Sequence, residues 1–68
     1  MRLSARNQFK GKILEVSGQT TARVRIDIGG GVIVTSSVTN EAVDDLGLKA
    51  GMEASAIVKA SDVMVAVG

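Results

Sequence analysis

Two short segments, one near each end of the chain, combine a cation with hydroxyl and backbone donors. The first is Ser4-Ala5-Arg6-Asn7-Gln8 and the second is Lys59-Ala60-Ser61. A tetrahedral dianion whose oxygens can only accept hydrogen bonds needs a cation, hydroxyl groups and free N–H groups of this kind. Each segment taken alone is also typical of a solvated turn or arm. The residue types therefore allow an oxyanion site without establishing one.

The sequence offers little that could catalyse a reaction. It contains no His and no Cys, which removes the commonest general base and the strongest nucleophile and excludes zinc-type sites and disulfides. The carboxylates of Glu41, Asp44 and Asp45 fall in a predicted helix, where acids commonly form solvated surface. Gly29-Gly30-Gly31 lacks the following helix and the Lys-Ser/Thr pair of a phosphate-binding loop. We predict a protein without enzymatic activity, resident metal or cofactor.

Charge and hydropathy indicate which large partners the protein does not bind. The net charge is +1 and Phe9 is the only aromatic residue, whereas a nucleic-acid-binding face needs a basic excess and aromatic rings that stack on bases. No apolar stretch approaches the roughly 20 residues of a membrane helix, and the N-terminus lacks the apolar segment of a signal peptide. We predict a cytoplasmic protein that binds neither nucleic acid nor membranes.

The elements that must position the donor segments are mostly β-strands. Strands are predicted for residues 8–16, 21–28, 32–38, 52–59 and 63–67. Apolar and polar residues alternate most clearly in the second strand. Gly11 marks a bend or bulge in the first strand, and Gly29-Gly30-Gly31 forms the hairpin before the third. A short helix begins at Thr39-Asn40-Glu41 and ends at Gly47. This order predicts an all-β fold, a five-stranded Greek-key barrel of the OB type with one short helix.

The size of the chain indicates that it assembles with copies of itself. Residues 1–68 are enough for one domain, in which a single hydrophobic core gives only marginal stability. Because disulfides and structural zinc are excluded, oligomerisation is the remaining source of stability. The tail at residues 63–67 has no polar position, so both of its faces need burial. We predict that this tail lies in a subunit interface.

Four segments resemble the molbindin family, which includes proteins also described as molybdopterin-binding. They are Ser-Ala-Arg-Asn-Gln at the start, Ile-Asp-Ile-Gly-Gly-Gly in the hairpin, Val-Thr-Asn-Glu after the third strand and Val-Lys-Ala-Ser-Asp-Val-Met-Val near the end. Similar domains occur in molybdate-responsive regulators and molybdate transport ATPases. The resemblance spans nearly the whole chain and implies intracellular binding and storage of molybdate or tungstate. It also implies a homohexamer, a trimer of dimers, with oxyanions held between subunits.

The resemblance also implies which residues hold the oxyanion. By the pattern of the family, the contacts come from Ser4, Ala5, Arg6, Thr39, Lys59, Ala60 and Ser61. The chain departs from some relatives at Ala42, where they place a serine whose hydroxyl helps to hold the anion. One donor is absent at that position. Family hexamers carry a second kind of site near the threefold axis, whose residues the sequence does not identify.

The sequence is compatible with three other functions. Molybdopterin could be the ligand in place of the free oxyanion. The chain could be an OB-fold module for single-stranded nucleic acid, although its one aromatic residue and its charge of +1 argue against this. It could also be a structural oligomer without a ligand.

Overall fold

The computed structural model describes residues 7–18 and 20–68 of the chain. The elements follow one another as strands β1 (Asn7–Ser17), β2 (Thr21–Gly29) and β3 (Val32–Thr39), helix α1 (Asn40–Leu46), strand β4 (Glu53–Val58) and a 3₁₀ helix (Ala60–Asp62). All strand pairs are antiparallel, and the strand order across the sheet is β3-β2-β1-β4. The fourth strand therefore returns to lie beside the first, which confirms the predicted Greek-key order.

The sheet curls because β1 is shared between two partners. The first half of β1, from Asn7 to Lys12, pairs with β4, and its second half, from Lys12 to Ser17, pairs with β2. The pairing with β2 shifts register between Ile13 and Glu15, and a bulge of this kind bends a strand and increases its twist. The irregularity predicted at Gly11 therefore lies further along the strand, while Gly11 itself pairs regularly with Ala54.

Gly11 is required by a close approach between two backbones. A Cβ atom at this position would lie 2.4 Å from the carbonyl oxygen of Asp27 and 2.8 Å from Cγ2 of Ile26. Both distances are shorter than carbon makes with non-bonded atoms, so β1 and β2 can approach one another here only when no side chain intervenes.

The core lies on one face of the sheet and is small. The buried side chains in the described part of the chain are Ile13, Ala22, Val24, Ile26 and Ala56. The alternation predicted for the second strand is confirmed, since three of these residues belong to β2. Ile13 is also held by the connection before β4: its N–H donates to the carbonyl of Met52 (2.9 Å), and its carbonyl accepts from Gly51 N (2.8 Å). The bulged region of β1 is therefore the centre of the fold.

The predicted helix is confirmed, together with both of its ends. Thr39 is the N-cap, and its Oγ1 accepts a hydrogen bond from the backbone N–H of Ala42. Gly47 ends the helix in the left-handed conformation, with φ of 64°, which glycine adopts without a Cβ penalty. Leu46, the last residue of the helix, is 65% exposed. The helix therefore packs only loosely on its own chain.

The predicted fifth strand is wrong for this chain, and the described residues form a four-stranded sheet that is not closed into a barrel. Residues 63–68 have no strand structure. The side chains of Met64, Val65 and Val67 are 93%, 89% and 96% exposed. A strand is stabilised by hydrogen bonds to a neighbour, and the described residues 7–18 and 20–62 provide no such neighbour for the tail.

We predict that Gly11→Ala destabilises the fold by about 1–3 kcal/mol, the usual cost of forcing extra atoms into a packed site. The new methyl group would have to displace the Asp27 backbone, because the contact is with a carbonyl and not with a flexible side chain. Urea unfolding at fixed protein concentration measures the change. Gly68→Ala is the control, since a Cβ there meets nothing within 4 Å. An unchanged unfolding midpoint for Gly11→Ala would contradict this account of the close approach between β1 and β2.

Candidate functional site

The second donor segment begins where β1 and β4 meet. Asn7, the first residue of β1, pairs with Val58, the last residue of β4. The side-chain amide of Asn7 also donates to the carbonyl oxygen of Val58 at 3.2 Å. Lys59 follows directly, so the Lys59-Ala60-Ser61 segment leaves the sheet beside the start of β1. This junction is the candidate functional site.

The Lys59-Ala60-Ser61 segment is folded into a tight turn that exposes its donors. Lys59 is the N-cap of the 3₁₀ helix, and its carbonyl accepts from the N–H of Asp62 at 2.9 Å. The first N–H groups of such a helix have no intrahelical acceptor. Those of Ala60 and Ser61 find no acceptor among the described residues. All three residues of the segment are exposed, so an ammonium, a hydroxyl and two N–H groups are available at this turn.

The turn also carries a negative charge. Asp62 belongs to the same 3₁₀ helix and is exposed. Its carboxylate and the ammonium of Lys59 have opposite formal charges, so this turn alone has no net positive charge to balance a dianion. A second cation is needed. The first donor segment contains one in Arg6, but Ser4, Ala5 and Arg6 lie outside the described residues, and their contribution stays a prediction.

Thr39 lies far from this junction within one chain. It is the last residue of β3 and pairs with Thr21, the first residue of β2. That end of β2 lies beside the C-terminal end of β1, where Ser17 pairs with Arg23, whereas Lys59 follows the partner of Asn7 at the N-terminal end. The predicted contacts Thr39 and Lys59 are therefore at opposite ends of β1. One copy of the chain does not bring them together in this arrangement.

The hydroxyl group of Thr39 is oriented by its capping bond. Because Oγ1 accepts the Ala42 N–H at 3.1 Å, the remaining O–H can donate to another group. Ala42 carries no side-chain donor of its own and takes part through its backbone N–H. Thr39 is thus a donor site fixed at the start of a helix, which suits an acceptor-only ligand.

A polar groove elsewhere on the sheet suits an anion less well. It is lined by Lys10, Gly11, Lys12, Asp27, Ile28, Gly29, Glu53, Ala54 and Ser55. Lys12 pairs in register with Asp27 on one side and with Glu53 on the other. The lysines are therefore balanced by neighbouring carboxylates. In the part of the chain that the structure covers, no three carboxylates come close enough together to hold a metal ion.

An apolar cleft opens along the unpaired edges of β3 and β4. It is lined by Ile13, Val24, Ile26, Ser36, Val38, Leu46, Leu48, Met52, Ala54, Ser55 and Ile57. Three of these residues belong to the buried core. The cleft therefore leads from the surface directly to the hydrophobic interior, at the place where a closed barrel would have a further strand.

The bond between Asn7 and Val58 was not predicted from the sequence. The Ser-Ala-Arg-Asn-Gln motif marks Asn7 as one of several donors, but no local pattern indicates that its amide reaches a carbonyl in β4. The partners are 51 positions apart. Only the pairing of β1 with β4 reveals the contact.

Comparisons with known proteins support one family along the whole chain. The TOBE domain model matches residues 3–65. The probable molybdenum-pterin-binding protein of Haemophilus influenzae is 52% identical over 68 residues, which cover 98% of this chain and 99% of that protein. A molybdate-binding protein from Sporomusa ovata has a TM-score of 0.91 at 29% identity, over 98% of this chain and 100% of that one. The cytoplasmic molybdate-binding protein ModG, solved with molybdate bound, has a TM-score of 0.87 at 48% identity, over 94% of this chain and 46% of that chain.

We predict that Thr39→Val destabilises the fold by about 0.5–2 kcal/mol, the usual cost of losing a helix N-cap. Thr39→Asp should restore most of this loss, because a carboxylate oxygen can also accept the Ala42 N–H. Urea unfolding of the two variants and the parent measures the difference. Equal stability of Thr39→Val and Thr39→Asp would show that the capping bond contributes nothing.

Proposed function

The chain belongs to the TOBE domain family, and we propose on that basis that it binds and stores molybdate or tungstate and catalyses no reaction. The resemblance to molbindins noted in the sequence is confirmed. The similarity extends over nearly the full length of a molybdenum-pterin-binding relative and of a molybdate-binding structure.

The observation that carries this proposal is the exposed donor turn at the end of β4. Lys59, Ala60 and Ser61 leave the sheet beside Asn7 with an ammonium, a hydroxyl and backbone N–H groups available. In the sequence, Arg6 directly precedes Asn7. Molybdate and tungstate are tetrahedral dianions with four acceptor oxygens, so a site made only of donors fits them.

The same donors would discriminate against other oxyanions. A site that contains only donors rejects a protonated oxygen, because two hydrogens would then face one another. Phosphate carries such a proton at neutral pH. Sulfate does not, but it is smaller than molybdate, so donors placed for the larger ion would not all reach it. Tungstate is nearly the same size as molybdate and would be accepted.

We propose that the protein acts as a homohexamer, a trimer of dimers, in the cytoplasm. Thr39 and Lys59 lie at opposite ends of β1 in one chain. A site that uses both therefore needs a second chain, with Arg6 and Lys59 converging from different subunits on one dianion.

The structural relative ModG is itself described as cytoplasmic. No helix in the described part of this chain has the length and apolar character needed to span a bilayer.

The exposed tail supplies a physical reason for assembly. The cleft between β3 and β4 leads to the core, and the apolar tail at residues 63–67 leaves most of its surface in water. The tail of a second copy would supply the strand that each sheet lacks, together with hydrogen bonds to the unpaired edges. We propose that residues 63–67 of one chain cover the cleft of another.

The name of the Haemophilus influenzae relative favours one further candidate ligand, a molybdenum-bearing pterin. A pterin ring is flat and aromatic, and Phe9 is the only aromatic residue that the chain could stack on it. Phe9 lies on β1, two residues after Asn7. Separate titrations with molybdate and with molybdopterin distinguish the two ligands.

We predict that Val65→Asp dissociates or unfolds the protein, since it would bury an unpaired charge in the proposed interface. Size-exclusion chromatography with light scattering measures the assembly. Gly68→Asp is the matched control, because it adds the same charge beyond the apolar run. If the parent were a stable 7.0 kDa monomer at micromolar concentration, the proposed assembly would be wrong.

We predict that Arg6→Ala and Lys59→Ala each abolish stoichiometric molybdate binding while the oligomer stays intact. Loss of one charged partner from a buried anion costs about 2–5 kcal/mol, or roughly 30-fold to several-thousand-fold in dissociation constant. Calorimetric titration measures the effect. Arg2→Ala is the control, since Arg2 lies outside the motif and should change binding little.

The result that would contradict this site is a variant that is still hexameric and binds molybdate within about threefold of the parent, a difference worth roughly 0.7 kcal/mol. Equal thermal stabilisation by sulfate and by molybdate at the same ionic strength would argue for nonspecific anion binding, because only a specific ligand of the folded assembly stabilises it selectively.

A further inference from the structure

One side chain of the first donor segment, that of Asn7, contacts the strand end from which the second donor segment leaves the sheet. The Nδ2 atom of Asn7 donates to the carbonyl oxygen of Val58 at 3.2 Å, and the bond is partly buried. Asn7 stands one residue after Arg6, and Val58 stands one residue before Lys59. In sequence, the two residues joined by this bond are therefore adjacent to the two predicted cations, and Asn7 is not itself one of the predicted oxyanion contacts.

The carbonyl that accepts this bond controls how the donor turn begins. The Val58 carbonyl shares a peptide plane with the N–H of Lys59. Fixing that plane restricts the start of the turn, in which Lys59 has φ of −63° and ψ of 141°. In the described sheet, β4 is an edge strand that is paired on one side only, by β1. Its last residue would fray readily without a further bond.

Gln8, the next residue of β1, is placed differently from Asn7. Gln8 also carries an amide and pairs with Ile57 of β4. It is exposed, whereas Asn7 is half-buried. Successive residues of a strand point to opposite faces, so only the Asn7 amide reaches over the end of β4. The bond is thus particular to this position and is not a general property of polar residues in β1.

We propose that Asn7 is a positioning residue for the oxyanion site, which holds the Lys59-Ala60-Ser61 turn in its binding conformation without contacting the ion. This inference rests on the proposed function. With the bond present, the turn is ordered before the anion arrives, and binding does not have to supply that order. A single hydrogen bond between neutral groups corresponds to about twofold to tenfold in a dissociation constant. The site should weaken by this amount when the bond is lost.

The test compares Asn7→Leu with Gln8→Leu in calorimetric titrations with sodium molybdate. Leucine has nearly the shape of asparagine but no N–H group, so Asn7→Leu removes the bond to Val58 and little else. We expect Asn7→Leu to bind molybdate about twofold to tenfold more weakly. We expect Gln8→Leu to bind like the parent, because Gln8 is not among the predicted oxyanion contacts. Asn7→Ser, whose side chain is too short to reach Val58, replaces Asn7→Leu if the leucine variant does not assemble.

A second measurement separates positioning from a general loss of stability. If Asn7 acts through the turn, its effect should be smaller when the turn has already lost a contact. Asn7→Leu should therefore weaken binding by a smaller factor in a Ser61→Ala background than in an Arg2→Ala background. Equal effects in both backgrounds would overturn the inference, because a merely structural role is additive with every site.

The outcomes also distinguish this inference from the proposed function. If the parent and Gln8→Leu bind molybdate and Asn7→Leu binds it equally well, the positioning role is wrong and the function stands. If neither the parent nor Gln8→Leu binds molybdate, the proposed function is wrong and the role of Asn7 fails with it.

Discussion

The small core beside the cleft between β3 and β4 is the constraint on which the rest of the structure depends. A chain of 68 residues buries few side chains, and three of them line this cleft. At this size, so small a core gives little net stability. The chain lacks the Cys and His residues that would allow a disulfide or a zinc site to compensate. This composition is the reason for the proposed contact with another copy, in which the apolar tail would take part.

The described residues among the predicted contacts lie at the margins of the sheet. The inner face of the strands is occupied by small aliphatic residues, so charged side chains lie on the outer face, as those of Lys10 and Lys12 do, or where strands begin and end. Lys59 follows the end of β4, and Thr39 lies where β3 passes into α1. Strand ends that lie far apart in one chain can lie close together between two chains of an assembly. Binding of an anion and association of chains would then stabilise one another, because an ion held between subunits is bound only by the assembled form.

The sequence predicts the elements that depend on a local residue pattern. It does not predict the features that depend on a residue distant in the chain or in another chain. The alternation along β2 and the capping residues Thr39 and Gly47 are local signals, and the structure has each element that they predict. The tail at residues 63–67 has an equally clear apolar pattern, yet a strand needs a neighbour that the pattern does not supply. The bulge was predicted at Gly11 but lies after Ile13. A glycine permits either a bend or a close approach of two backbones, and at Gly11 it serves the close approach. The link from Asn7 to Val58 depends on strand pairing, which composition and spacing do not determine.

Native mass spectrometry after dialysis against molybdate tests most directly whether binding and assembly depend on one another. It reports the number of chains and the number of bound molybdenum atoms in the same particle. The account predicts a hexamer that carries molybdate and, when the assembly is dissociated in solution, chains that carry none. A 7.0 kDa monomer that retained stoichiometric molybdate would contradict it, since one chain would then hold the ion without a partner.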